Sequence, residues 1–371
     1  MSEAKTVREI RVNPVIPAES VLVATARGMR PKEEEKILEH DKSPHKDNCP
    51  FCIGNEDKTP PSIYSWPETG NWKIRIVENL YPVLGKPDSD TNSNNLNFGL
   101  QQAIEGYGHH EVVIDNANHG IGIHEMDNEH LARIFITYRN RMRKLYKNQK
   151  IQYVLVFKNF GPAAGASIKH THSQIIAMPV VPQNIHDEVE NSIKHFKKHG
   201  RCIFCGLIDE ALTFETTIYD RESGKIKRKI NVGQFAIDRT EHFIAIKPFA
   251  SRFEWEVHIL PIEHSNDYTK TSKKILKDLA RIMRRTMQRL DAVIGGVQYN
   301  YFLHSVPGRE KRPEAEHGFH WHLEIVPRTS IPTGFELGSG LFVNTICPEH
   351  AAQSLREVKL NPEKQKEAVN E

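Results

Sequence analysis

The chain has 371 residues, of which 38% are hydrophobic and 26% charged, with a formal net charge of +3. That balance fits a folded chain with room for two ordinary domains and excludes a disordered one. The small charge requires no nucleic-acid partner. No run of eighteen apolar residues offers a membrane span, and the N-terminus MSEAKTVREIRV lacks the apolar core of a signal peptide, so a cytoplasmic location is expected.

Residues 1–48 read as extended and loop-rich, with a charged stretch over 32–46. Arg27 and Arg30 bracket Gly28 and Met29; arginines beside glycine suit a phosphate, and a solvated charged loop fits the same composition. The segment CPFCIGNEDKTPP forms a knuckle around Cys49 and Cys52. Residues 72–84 (WKIRIVENLYPVL) alternate as a strand and turn near Asn79, and residues 85–99, rich in Asn, Ser and Asp, read as a surface loop. EVVID at 111–115 predicts a short strand leading to His119. Leu131, Ile134, Phe135, Tyr138, Met142 and Leu145 then recur at helical spacing.

A further strand over 151–158 delivers the chain to NFGPAAGASIKHTHSQIIAMP at 159–179. Small residues from Ala163 to Ser167 allow backbone to come close to a ligand. The apolar run 175–178 reads as a buried strand. Residues two apart share a strand face, so His170, His172 and Gln174 are expected to address one spot. This is the expected active strand.

The second half repeats the plan. CIFC at 202–205 answers CPFC, and EHFIAIKPFA at 241–250 answers VENLYPVL at 77–84. Glu256 and His264 answer Glu111 and His119 at the same offset of eight, and HWH at 320–322 answers HTH at 170–172. A helix-period stretch, Ile275 to Ile294, and a strand over 299–303 keep the same order, so a duplicated domain is expected. The predicted units are 1–195, 196–358 and a mobile tail over 359–371.

Five cysteines include two Cys-x-x-Cys pairs, which in a reducing compartment are metal knuckles or redox dithiols more often than disulfides. Each copy also offers two matched histidines. The predicted metal sets are Cys49, Cys52, His119, His170 and Cys202, Cys205, His264, His320. Two thiolates with two imidazoles form the closed tetrahedral set of a structural zinc, two ions per chain. The spacings are too long for a zinc finger. Cys347 is unpaired, and His109, His110, His124, His304 and His317 are read as structural or solvent-facing.

These motifs, together with RVNPVIPAESVLVATARGMRP and GFELGSG, make the chain resemble the galactose-1-phosphate uridylyltransferase family, the transferase branch of the histidine-triad superfamily. It is similar to the two-zinc, plant-type branch that includes ADP-glucose phosphorylase-like members. Typical uridylyltransferases carry Asn-Pro-His-Pro-His where this chain has Ile168-Lys169-His170-Thr171-His172. Typical members also hold iron at the second position, where Cys202 and Cys205 argue for zinc here.

The resemblance implies an α+β fold of two tandem histidine-triad-like domains, each an antiparallel sheet with packed helices. It implies transfer of a nucleoside monophosphate through a covalent histidine, with His172 as nucleophile, Gln174 on the nucleotidyl phosphate and Ser167 donating to phosphate oxygens. Asn159 and Gly165 match ligand contacts and Asn79 a ribose contact. Arg27 and Arg30 match phosphate-binding arginines supplied by a partner subunit, hence a homodimer, and Glu336 matches a sugar-contacting carboxylate. Three functions follow: transfer between UDP-glucose and a hexose 1-phosphate, phosphorolysis of ADP-glucose or a related adenylyl donor, and inert zinc-held nucleotide binding.

Overall fold

The computed structural model describes residues 6–30, 42–85, 96–213, 215–219, 223 and 225–360. Most of the charged stretch 32–46, most of the loop 85–99 and all but two residues of the tail 359–371 lie outside the described residues.

In chain order the elements begin with β1 (Arg8–Arg11), β2 (Val21–Ala24), β3 (Ser62–Trp66), β4 (Ile74–Glu78), β5 (Leu96–Phe98), β6 (Gln101–Ala103) and β7 (His109–Ile114). Helix α1 (Asn128–Leu145), β8 (Tyr153–Phe160), β9 (His172–Met178) and α2 (Gln183–His199) follow. The second half starts with α3 (Ile203–Thr213), β10 (Glu215–Tyr219), β11 (Ile226–Asn231), β12 (Ala236–Arg239), β13 (Phe243–Ile246) and β14 (Val257–Pro261). It ends with α4 (Lys273–Ile294), β15 (Tyr299–His304), α5 (Pro313–Gly318), β16 (His322–Pro327), α6 (Gly334–Ser339), β17 (Phe342–Asn344) and α7 (Pro348–Glu357).

Ten strands form one antiparallel sheet in the order β12-β13-β14-β16-β15-β8-β9-β7-β4-β3. Read outward from the β8–β15 seam, each half has the same order, which is the duplication expected from the motifs. The halves are one sheet, however, joined at a register that pairs Asn159 with Asn300. A boundary at 195/196 would cut through α2. The N-terminal strands leave the first half altogether, because β2 pairs in parallel with β17 near the other end of the chain.

The long helices form where the apolar spacing placed them. Asp127 caps α1 by accepting from the His130 N–H at 2.7 Å, and Ser272 caps α4 by accepting from Ile275 at 3.2 Å. Their apolar stripes, Leu131 to Leu145 and Leu276 to Leu290, are buried against each other and the sheet in one core that spans both halves. Each fully buried Leu, Ile or Phe contributes about 2 kcal/mol, so this shared core resists separation of the halves.

The register corrects one expected match. Val112 stands opposite Gln174, and His258 stands opposite Glu324. Since Gln174 and Glu324 both lie two residues after the second histidine of their pairs, the counterpart of Glu256 is His110. Glu111 therefore faces the other way, to Arg141 on α1, while Glu256 contacts His258. A slip of one residue reverses the face of a strand residue, and the common offset to the metal histidines conceals it.

Candidate active site and metal centres

The first cysteine pair sits in a tight knuckle: the Cys52 N–H donates to the Cys49 carbonyl at 3.2 Å, and the Asn55 amide donates to the same carbonyl at 2.8 Å. His119 arrives from the turn after β7, and His170 from the residues just before β9. Cys49, Cys52, His119 and His170 are all buried, with ligand atoms within 4.8 Å of one another. The Cys52 sulfur lies 3.5 Å from the Nδ1 atoms of both histidines, and the Cys49 sulfur is 3.7 Å from that of His170. A tetrahedral ion with ordinary Zn–S and Zn–N bonds separates its ligands by about 3.5 Å, so the set fits zinc. His170 turns its Nε2–H to the Asn116 carbonyl at 2.8 Å, the backbone anchor common for a metal-bound imidazole.

Cys202, Cys205, His264 and His320 assemble in the same way, with Cys205 sulfur 3.4 and 3.6 Å from the two Nδ1 atoms. His264 anchors on the Glu316 carbonyl at 2.8 Å. This second set is more open, with Cys205 half-buried and His264 exposed.

The active strand opens at His172 rather than at His170. His170 thus belongs to the metal knuckle, and only His172 and Gln174 share a strand face. His172 is buried, 6% exposed, and its Nδ1–H donates to the His170 carbonyl at 2.7 Å. That bond leaves Nε2 without a proton and with its lone pair available. Burial and the nearby Lys158 ammonium hold the ring's pKa down, which keeps it neutral.

Behind β9, facing the helices, sequence reasoning missed a polar network. Lys158 is fully buried and donates to Asp115 at 2.7 Å, to the Thr171 hydroxyl at 2.8 Å and to the His172 carbonyl at 2.9 Å. Ser173 donates to the same Asp115 carboxylate at 2.7 Å, and Tyr138 joins Ser173 to Tyr301. A buried ammonium is tolerated because a carboxylate and two further acceptors satisfy all three of its hydrogens. The signal present in the sequence was a lysine directly after the apolar run Tyr153 to Phe157.

In front of β9, Gln174 meets a second missed residue. His110, read from the sequence as structural or solvent-facing, is buried, and its Nε2 lies 2.7 Å from Gln174 Oε1 and 3.1 Å from Asn79 Nδ2. Asn159 accepts from Asn300 at 2.8 Å across the seam. Ser167 is exposed on the connection into the strand, and Gly165, also exposed, takes φ +81°, a conformation that favours glycine. Arg27, Arg30 and Glu336 are not brought to this place. They line another cavity, with Arg252, Glu254 and Thr333, and Glu336 caps α6 by accepting from the Thr333 amide at 2.9 Å.

Residues 1–182 match the model of the galactose-1-phosphate uridyl transferase N-terminal domain. Over 353 residues the chain is 32% identical to the ADP-glucose phosphorylase of Arabidopsis thaliana, covering 95% of this chain and 93% of that one. The chain belongs to the galactose-1-phosphate uridylyltransferase family. The galactose-1-phosphate uridylyltransferase of Thermotoga maritima is 27% identical over 358 residues, 95% of this chain and 99% of its own. The fold agrees: a crystal structure of the Arabidopsis ADP-glucose phosphorylase with bound ADP-glucose superposes with a TM-score of 0.79 at 30% identity, covering 95% and 100% of the two chains. A structure of uridylyltransferase gives 0.67 at 25% identity, covering 98% and 100%.

Within this family fold, the second half carries a different site. His322 repeats the backbone lock of His172, with Nδ1–H donating to the His320 carbonyl at 3.0 Å. Its Nε2, however, looks at carboxylates, Glu324 at 3.6 Å and Glu188 at 3.9 Å. His304, read from the sequence as structural or solvent-facing, is buried there with Nδ1 3.0 Å from Glu188. Arg252 donates to Glu324 at 2.6 Å, and His258 bonds Glu256 at 3.0 Å. Glu188, Arg252, Glu256, His258, His322 and Glu324 floor a cavity whose walls are largely apolar, including Phe204, Leu207, Phe249 and Leu260.

Proposed function

We propose that the chain is a nucleotidyltransferase that moves a nucleoside monophosphate from a nucleoside diphosphate sugar to a phosphate-bearing acceptor, by way of a nucleotidyl-His172. The observation that carries this reading is the His172 Nδ1–H bond to the His170 carbonyl, which presents a neutral Nε2 beside Gln174. The Nε2 lone pair attacks the α-phosphorus, and the bond from that phosphorus to the bridging oxygen breaks. The sugar 1-phosphate departs with the electron pair; as a phosphate it needs no proton from an acid. The positive charge left on the ring is stabilised by the His170 carbonyl. An acceptor phosphate oxygen then attacks the same phosphorus and restores the imidazole.

UDP-glucose with a hexose 1-phosphate is the first donor–acceptor pair. ADP-glucose with inorganic phosphate is the second, favoured by the higher identity and coverage shared with the Arabidopsis protein. Each chain binds two structural zinc ions, through the two sets of cysteines and histidines. Arg27, Arg30 and Glu336 act across a homodimer: they are half-buried or exposed, and apolar side chains such as Ile10, Met29 and Ile331 stand exposed around them. No described helix is long and apolar enough to cross a membrane, and the protein works in the cytoplasm.

Incubation with UDP-glucose and ADP-glucose, each labelled in the nucleotidyl phosphate, tests the reading. Covalent label from one donor, absent from His172→Asn, is the expected result. Absence of label from both donors overturns the enzyme reading in favour of a zinc-held binding protein.

A further inference from the structure

The contact between His110 and Gln174 settles an ambiguity that matters for phosphoryl transfer. A glutamine amide can present either its oxygen or its NH₂ to a ligand, and the two ends have nearly the same shape. Facing a phosphate, the oxygen repels and the NH₂ donates.

The hydrogen-bond roles can be assigned from the backbone outward. The Val83 N–H donates to His110 Nδ1 at 3.2 Å, so Nδ1 is an acceptor. Burial lowers the His110 pKa, and a neutral imidazole carries a single hydrogen, which must then sit on Nε2. Two side chains lie within reach of that hydrogen. Asn79 already accepts from the Tyr81 N–H through Oδ1 at 2.9 Å and turns Nδ2 to the ring, so it cannot take the hydrogen. Gln174 Oε1, at 2.7 Å, can. With the oxygen held inward, the amide NH₂ points away from His110.

We propose that His110 is a positioning residue that fixes the amide of Gln174, so that its N–H groups face the phosphoryl group carried by His172. This inference rests on the reading of His172 as nucleophile. The second half supports it by contrast: Glu256 and Glu324 occupy the two corresponding positions, where no amide remains to be oriented.

The test is a double-mutant cycle read in the first half-reaction, the burst of nucleotidyl label onto the enzyme from whichever donor labels the wild type. His110→Phe keeps a ring and removes both nitrogens. Loss of a preorganised donor predicts a labelling rate lower by roughly 10- to 100-fold. The donor KM should shift by less than about twofold, because the contact acts in the transition state. Gln174→Ala alone and the pair His110→Phe/Gln174→Ala should label at the same rate, since His110 acts only through Gln174.

Gln174→Glu tests the same point if the phenylalanine variant does not fold. It puts an oxygen where the NH₂ was and should label more slowly than Gln174→Ala. A wild-type rate in His110→Phe, losses that multiply in the pair, or a Gln174→Glu variant as fast as Gln174→Ala would overturn the inference while leaving His172 as nucleophile. Absence of label on the wild type would overturn both.

Discussion

The two halves share a backbone plan and a histidine held by the carbonyl two residues before it, yet their surroundings are opposite. In the first half, the layer behind the strand is polar, with Lys158, Asp115 and Ser173, and an amide stands in front. In the second, register places Leu303, Pro261 and Leu323 behind the strand, and Glu324 with Glu256 in front. The backbone lock survives duplication because it needs no particular side chain beyond the histidine. What a histidine can attack is then set by the charge before it. Carboxylates at 3.6 and 3.9 Å from His322 repel a phosphate, so on the proposed mechanism the second half keeps the backbone geometry but turns the wrong charge toward a nucleotide.

The sharpest way to break this comparison is to remove each histidine in turn. His172→Asn should lower turnover by about 10⁴-fold or more, the scale of losing a nucleophile, while His322→Asn should leave it within about threefold. Equal losses in steady-state assays would show that both halves react.

The next contrast concerns the metals. The first set is wholly buried, and the second is partly open at Cys205 and His264. A chelator with a colorimetric readout should therefore strip two zinc ions in two phases, the faster one removed by Cys205→Ala. Cys52→Ala should instead lose the slow phase and lower Tm by roughly 5–10 °C, as expected when several kcal/mol of metal-linked stability vanish. A single phase for both ions would deny the difference.

A smaller effect separates the layers behind the strands. Lys158→Met leaves the Asp115 carboxylate buried without its cation and should cost about 3–5 kcal/mol in denaturant unfolding. Leu303→Met, at the corresponding position, should cost less than about 1.5 kcal/mol. Similar costs would mean the polar network adds nothing specific to the first half.

The mildest prediction concerns acid. Burial alone would raise the pKa of Glu324, but His258 and Arg252 hold it well below its ordinary value of 4.5. Its stabilising contribution is full above that unfolded value and is lost as pH falls through the lower folded one. Glu324→Gln should therefore show a shallower loss of stability on acidification than the wild type, measured by Tm against pH; an unchanged slope would place the acid sensitivity elsewhere.

The sequence by itself determined the elements whose information is local or repeated. Helical spacing located α1 and α4, matched Cys-x-x-Cys and His-x-His pairs located both metal sets, and the repeated order announced the duplication. It could not determine which residues meet across strands. His110, Lys158 and His304 take their roles from partners distant in the chain, and Glu111 and Glu256 look equivalent until register turns one of them over. Nor does spacing along the chain show that Arg27, Arg30 and Glu336 line one cavity, which only folding brings together. Spacing along a chain encodes which face of an element is buried; only pairing between elements decides what that face touches, because the register is set by the sum of contacts over the whole sheet.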